Sequence, residues 1–134
     1  MKIVVSPNPY RDKQFKNARQ ACSILREAGA EVALCLPFDV DKTFEIPHDL
    51  RFQDIQKEIK TADMLICFGG DGTILHSSKI ATEHNLPILG VNIGTMGFIA
   101  ELESGEIELL RRIPKGEYTV EERTMLDVSV GNGR

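Results

Sequence analysis

The stretch Phe68-Gly69-Gly70-Asp71-Gly72-Thr73 sets three glycines and a hydroxyl around one carboxylate. Glycine lacks a side chain and reaches backbone angles closed to other residues. A phosphate can therefore come up against main-chain N–H groups there. Where a helix follows, its N-terminal partial positive charge adds to the attraction. Thr73 offers a hydroxyl to cap that helix or to touch phosphate. A carboxylate among phosphate binders is electrostatically awkward. It makes sense if Asp71 takes a proton from a hydroxyl nucleophile, or helps hold a Mg²⁺ ion that screens the phosphates. The plainer alternative is that Asp71 only caps the helix, worth ~1 kcal/mol.

A second glycine-rich stretch follows at Gly90-Val91-Asn92-Ile93-Gly94-Thr95-Met96-Gly97-Phe98. Asn92 brings an amide, and Met96 and Phe98 bring apolar surface beside a polar turn. Together they suit a nucleotide base. The bland reading of Phe98 is packing within its own loop.

The elements that must hold these stretches read as alternating strands and helices. Lys2 to Ser6 is a strand, apolar on both sides as in a parallel sheet. Ser6-Pro7-Asn8-Pro9-Tyr10 is a loop, because its prolines can continue neither strand nor helix. If the strands are parallel, Asn8 leaves the same sheet edge as Asp71 and approaches the same ligand, or else it is a simple turn residue. Asp12 suits a helix N-cap. Ala18, Ala21, Cys22, Leu25 and Ala28 then recur at helical spacing, and Gly29 ends the helix. Glu31 to Leu36 is a second strand. Pro37 to Asp49 has no period and reads as a surface loop, with His48 as a solvated side chain. Phe52, Ile55, Gln56 and Ile59 suggest a short helix, Asp63 to Phe68 a third strand, and Ile74 to Ala81 a helix with Ile74, Leu75, Ser78, Ala81 and Thr82 near one face. Pro87 to Val91 is a fourth strand, and Gly105 to Arg112 a last helix before Pro114.

This order implies an α/β fold: a doubly wound parallel sheet, Rossmann- or flavodoxin-like, with both glycine-rich loops on one edge. Tyr118 to Val130 alternates and is rich in β-branched residues, like antiparallel strand material. The expected division is an α/β nucleotide and phosphate domain over 1–116 and, over 117–134, the first strand or strands of a second, all-β domain that is cut short.

Composition narrows the partners. At 134 residues, 42% hydrophobic and 27% charged, the chain suits one soluble globular domain. No apolar run approaches the ~20 residues of a membrane helix, and Met1 to Ser6 is too short for a signal peptide. Neither a membrane partner nor export is expected, and the cytoplasm is the expected compartment. Sixteen basic against twenty acidic residues argue against a nucleic-acid partner. Cys22, Cys35 and Cys67 are far apart in apolar company, so they read as small buried residues rather than a disulfide or zinc set. No metal-ligand cluster is expected.

Three motifs in this order resemble the NAD kinase family: Gly69-Gly70-Asp71-Gly72-Thr73, then Asn92 to Phe98 after Gly90, then Glu121-Glu122-Arg123-Thr124-Met125-Leu126. The first is shared with diacylglycerol, sphingosine and phosphofructo-kinases, so the fold implied is a phosphofructokinase-like half. The other two are more specific, and the resemblance runs through nearly the whole chain. It implies a phosphotransferase that moves the γ-phosphoryl group of ATP, or in some members of polyphosphate, to the 2′-hydroxyl of the adenosine ribose of NAD. The product is NADP, and a divalent metal such as Mg²⁺ is required. It further implies Asp71 as general base, and Gly70, Gly72, Thr73, Leu75, His76, Asn92 and Phe98 as residues lining the nucleotide site. His76 stands where arginine or lysine is frequent, and Thr95-Met96 replaces a pair that often carries a basic group.

Family members continue into an all-β domain whose Asn-Glu pair grips the nicotinamide side, and they commonly assemble as homo-oligomers. The expectation is an NAD kinase in the full-length protein, with the 134 residues inactive alone. The alternatives are a related lipid or sugar kinase, or a nucleotide-binding half-domain without turnover.

Overall fold

The computed structural model describes residues 1–94 and 100–118. Five strands form one parallel sheet: β1 (Lys2–Pro7), β2 (Glu31–Leu34), β3 (Met64–Gly69), β4 (Ile88–Asn92) and β5 (Leu102–Glu103), in the order β2-β1-β3-β4-β5. The expected doubly wound α/β fold is what forms.

Alternation along the strands sends side chains to two cores. Ile3, Val5, Met64, Ile66, Phe68 and Val91 face one layer, made by α1 (Lys16–Glu27) and a 3-10 helix over Ser104–Arg112. Val4, Ala33, Cys35 and Leu65 face the other, with Ile55 and Ile59 from α2 (Ile55–Glu58) and its 3-10 extension (Ile59–Thr61), and Ala81 from α3 (Asp71–Glu83). β1 and β3 are covered on both faces, which is why they read as unbroken apolar runs.

Several boundaries differ from the sequence reading. Asp12 does not open a long helix. A single 3-10 turn (Lys13–Phe15) intervenes, with Gln14 and Phe15 both at φ 56°. The buried Asp12 carboxylate then accepts from the N–H groups of Asn17 and Ala18, each at 2.9 Å, and so caps α1 from upstream. β2 stops at Leu34, and Cys35 makes one parallel bridge to Gln53. β5 was not foreseen: two residues with one charge carry no alternation to detect. The last helix winds as 3-10 rather than α.

The segment between Pro37 and Asp49 is a largely exposed loop, pinned by rings far apart in sequence. Tyr10 meets Phe44 edge-on at 5.3 Å, and Phe15 meets Phe44 at 6.1 Å. All three cysteines are free and buried, as expected. Burial pushes the Cys22 thiol up to about 11 and those of Cys35 and Cys67 to about 12, so none is a thiolate near neutral pH. The expectation of strands beyond Tyr118 falls outside the described residues.

Candidate functional site

In a sheet of order 2-1-3-4-5, chain connections leave in opposite directions from β1 and β3. The crevice between the carboxyl ends of those strands is where such folds bind ligands. Pro7 is level with Phe68 there, and Gly69 with Asn92. The loop after β1, the Asp71 stretch and the Asn92 turn therefore share one edge, as the sequence implied.

Asp71 is not the N-cap of α3. Gly70 is, and it offers no side-chain cap, so Asp71 is the first helical residue and is half-buried. The N–H groups of a first helical turn have no intrahelical acceptors. They present partial positive charge beside the carboxylate.

The glycines serve a purpose the sequence reading misjudged. None in this loop has positive φ; among the described glycines only Gly29 and Gly116 do. What Gly69 provides is room. A Cβ there would fall 2.5 Å from the Cβ and the Oγ1 of Thr73. Gly90 likewise admits Ile74, whose Cδ1 would lie 2.7 Å from an added Cβ. These two glycines let the first turn of α3 sink onto β3 and β4. Gly72 faces the other way, and a Cβ there would meet nothing within 4 Å.

Thr73 is buried, and its hydroxyl accepts from Asn8 Nδ2 at 2.8 Å. Asn8 therefore does reach the Asp71 loop, as a brace between β1 and α3. Its backbone N–H also donates to the Phe68 carbonyl at 2.8 Å. Leu75 and His76 are exposed on α3. His76 Nε2 lies 2.9 Å from the Pro37 carbonyl, which can only accept, so Nε2 carries a proton. The ring also meets Phe38 edge-on at 6.0 Å.

Asn92 is buried, with both ends of its amide engaged. Oδ1 accepts from Gly94 N–H at 3.1 Å, and Nδ2 donates to Glu103 at 2.9 Å. Glu103 also closes a capping box with Glu106, so the unforeseen β5 anchors this turn. Phe98, Met96 and Thr95 lie outside the described residues.

Sequence reasoning missed Arg11. Its guanidinium lies over both glycine-rich loops: an added Cβ would be 3.8 Å from its Cζ at Gly70, and 2.9 Å from its Nη1 at Gly94. The available signal was a cation in the loop after β1, three residues past Asn8.

Residues 2–118 match the family described as the ATP-NAD kinase N-terminal domain. The chain is 32% identical over 133 residues to an NAD kinase of Corynebacterium diphtheriae, covering 96% of this chain and 42% of that one. It is 32% identical over 130 residues to an NAD kinase of Bacteroides fragilis, covering 96% and 45%. With an NAD kinase of Natranaerobius thermophilus the identity is 45% over 78 residues, covering 58% and 27%. The chain thus spans less than half the length of these relatives. With the family match extending from β1 through the last helix, the chain belongs to the NAD kinase family as its N-terminal domain.

Proposed function

We propose that these residues form one wall of an ATP-dependent NAD kinase site, with Asp71 as general base. Asp71 takes the proton from the 2′-hydroxyl of the adenosine ribose of NAD. The oxygen bonds to the γ-phosphorus of ATP as the bond from that phosphorus to the β,γ-bridging oxygen breaks, and NADP and ADP result. The observation that carries this reading is the seat of Asp71 at the start of α3, beside uncapped helix N–H groups and at the β1/β3 crevice. A ribose hydroxyl is a poor nucleophile at neutral pH, and a positioned base contributes typically ~10²–10⁴-fold. The α3 N-terminus attracts the donor's phosphates. Gly72, with open space above it, and the exposed Leu75 and His76 face the nucleotide. Gly70, Thr73 and Asn92 shape the backbone that meets it, and family likeness assigns Phe98 to the adenine.

Among the described residues no group of three His, Cys, Asp or Glu side chains is placed to hold a metal. Mg²⁺ asks for less, because it binds through one or two carboxylates together with substrate phosphates. The ATP phosphates and water would hold such an ion, leaving Asp71 as the base, and the ion would neutralise charge on the transferring group. The second wall belongs to an all-β domain starting near residue 117, so the 134 residues alone are expected to show no turnover. A cytoplasmic, homo-oligomeric full-length enzyme completes the reading, on family likeness alone.

The test is Asp71→Asn in the full-length protein, supplied with ATP, Mg²⁺ and NAD. NADP formation should fall by at least ~10²-fold with the melting temperature unchanged. Unchanged turnover would remove Asp71 from the chemistry, and phosphorylation of a lipid or sugar in place of NAD would overturn the substrate assignment.

A further inference from the structure

Arg11 is held in place by its loop. Its N–H donates to the Asn8 carbonyl at 3.2 Å, and the Asp12 N–H donates to the same oxygen at 2.9 Å. Asn8 in turn is bonded to Phe68 and Thr73, and the Asp12 carboxylate is fixed in the first turn of α1. The base of the arginine is therefore anchored on both sides, while the side chain itself is exposed.

Three other cations of the described residues sit in ion pairs: Lys2 with Glu58, Arg19 with Asp49, and Arg111 with Glu27 and Glu108. No ion pair among the described residues engages Arg11. Its guanidinium instead spans the Gly70 cap of α3 and the Gly94 turn after β4. A Cβ on Gly94 would come within 2.9 Å of Nη1 and make the guanidinium shift, whereas one on Gly70 would only reach ordinary contact with Cζ at 3.8 Å.

A planar fork of N–H donors suits two phosphate oxygens at once. The α3 N-terminus adds its own positive end beside it. The site also holds the Asp71 carboxylate, which repels a polyphosphate unless a fixed positive charge offsets it.

We infer that Arg11 grips the terminal phosphates of the donor polyphosphate and orients them toward Asp71. This inference rests on the kinase reading for the identity of the donor. The grip itself requires only a chain of phosphates, which ATP and inorganic polyphosphate share.

The probe is therefore inorganic tripolyphosphate, titrated calorimetrically into the full-length protein with and without substitution. Arg11→Gln should weaken tripolyphosphate binding about 10- to 100-fold, the range for hydrogen bonds to a charged group. Arg11→Lys should recover only part of it, because an ammonium lacks the fork. Gly94→Ala keeps the arginine but displaces Nη1, and should also weaken binding. In turnover, the KM for ATP should rise in Arg11→Gln with the KM for NAD unchanged. Equal tripolyphosphate binding by wild type and Arg11→Gln would overturn the inference, as would a rise confined to the KM for NAD. A protein that binds tripolyphosphate through Arg11 yet makes no NADP would leave the grip standing and sink the kinase reading.

Discussion

Helix α1 lays Ala18, Ala21, Cys22, Ile24 and Leu25 on the sheet, whereas α3 lays down Thr73, Ile74, Ser77, Ser78 and Ala81. Both are crossover helices of similar length on opposite faces of one sheet. α1 buries hydrocarbon almost exclusively. α3 buries three hydroxyls and leaves Leu75 41% exposed. Two of its hydroxyls turn back on the helix: Ser78 Oγ donates to the Ile74 carbonyl at 2.8 Å, and Thr82 Oγ1 to the Ser78 carbonyl at 2.7 Å. Ser77, fully buried, has no hydrogen-bond partner for its hydroxyl among the described residues, and the Cys67 thiol lies beside it. The helix that stabilises the fold and the helix that carries Asp71 are thus different helices. Small buried residues let α3 sit low on Gly69 and Gly90, which fixes its N-terminus at the strand ends. The difference teaches that placing a helix end can take precedence over burying apolar area, a common cost at working sites.

Substitutions on the two helices should have opposite consequences for stability and activity. Leu25→Ala on α1 should cost about 2–5 kcal/mol, because it opens a cavity among fully buried neighbours. A urea midpoint shift at constant m-value would show it, and a shift below 1 kcal/mol would undo the assignment of α1 as the stabilising helix. Gly69→Ala should cost about 1–3 kcal/mol by forcing α3 off the sheet at Thr73. Its thermal unfolding should be lowered in parallel with activity.

Ser77→Ala should run the other way, adding roughly 1 kcal/mol by removing a buried hydroxyl with no oxygen or nitrogen partner among the described residues, only the weakly accepting Cys67 thiol beside it. Destabilisation instead would mean that the hydroxyl holds Cys67 usefully. Gly72→Ala is the smallest effect on the fold and the most informative about the site. It fills open space on a helix and should add about 0.5–1 kcal/mol. If Gly72 lies against the nucleotide, NADP formation falls even as the melting temperature rises. Unchanged turnover would clear Gly72 of contact with substrate.

The four longer strands and α1 were legible because periodicity reports burial, and Ile3 to Val5 or Ala18 to Leu25 can be read no other way. The site's edge was legible for the same reason: a glycine-rich stretch after an apolar run marks a strand end. The rest hid where local pattern and tertiary cause part company. Helical spacing grouped Leu75 with Ile74 and Ala81 near one face, yet the turn that seats Thr73 and Ile74 leaves it exposed. The loop glycines read as bare backbone at unusual angles, and the need at Gly69 and Gly90 is space for a helix that only the fold brings near. Arg11 was silent because its meaning depends on two loops at Gly70 and Gly94, which are distant in sequence and adjacent across strands. The anchoring of the Pro37 to Asp49 loop by Tyr10 and Phe15 was invisible in the same way.

Ladder hydrogen bonds continue past the strand ends into the site. The Asn8 N–H reaches the Phe68 carbonyl at 2.8 Å, and the Ile93 N–H reaches the Gly69 carbonyl at 3.2 Å. Loops elsewhere commonly surrender their freedom when a ligand arrives, and that loss is deducted from affinity. Here the first residues past β1 and β4, Asn8 and Ile93, are stitched to β3 as the sheet forms, so their ordering entropy is charged to folding. Amide exchange at Asn8 and Ile93 should accordingly follow the sheet rather than the surface.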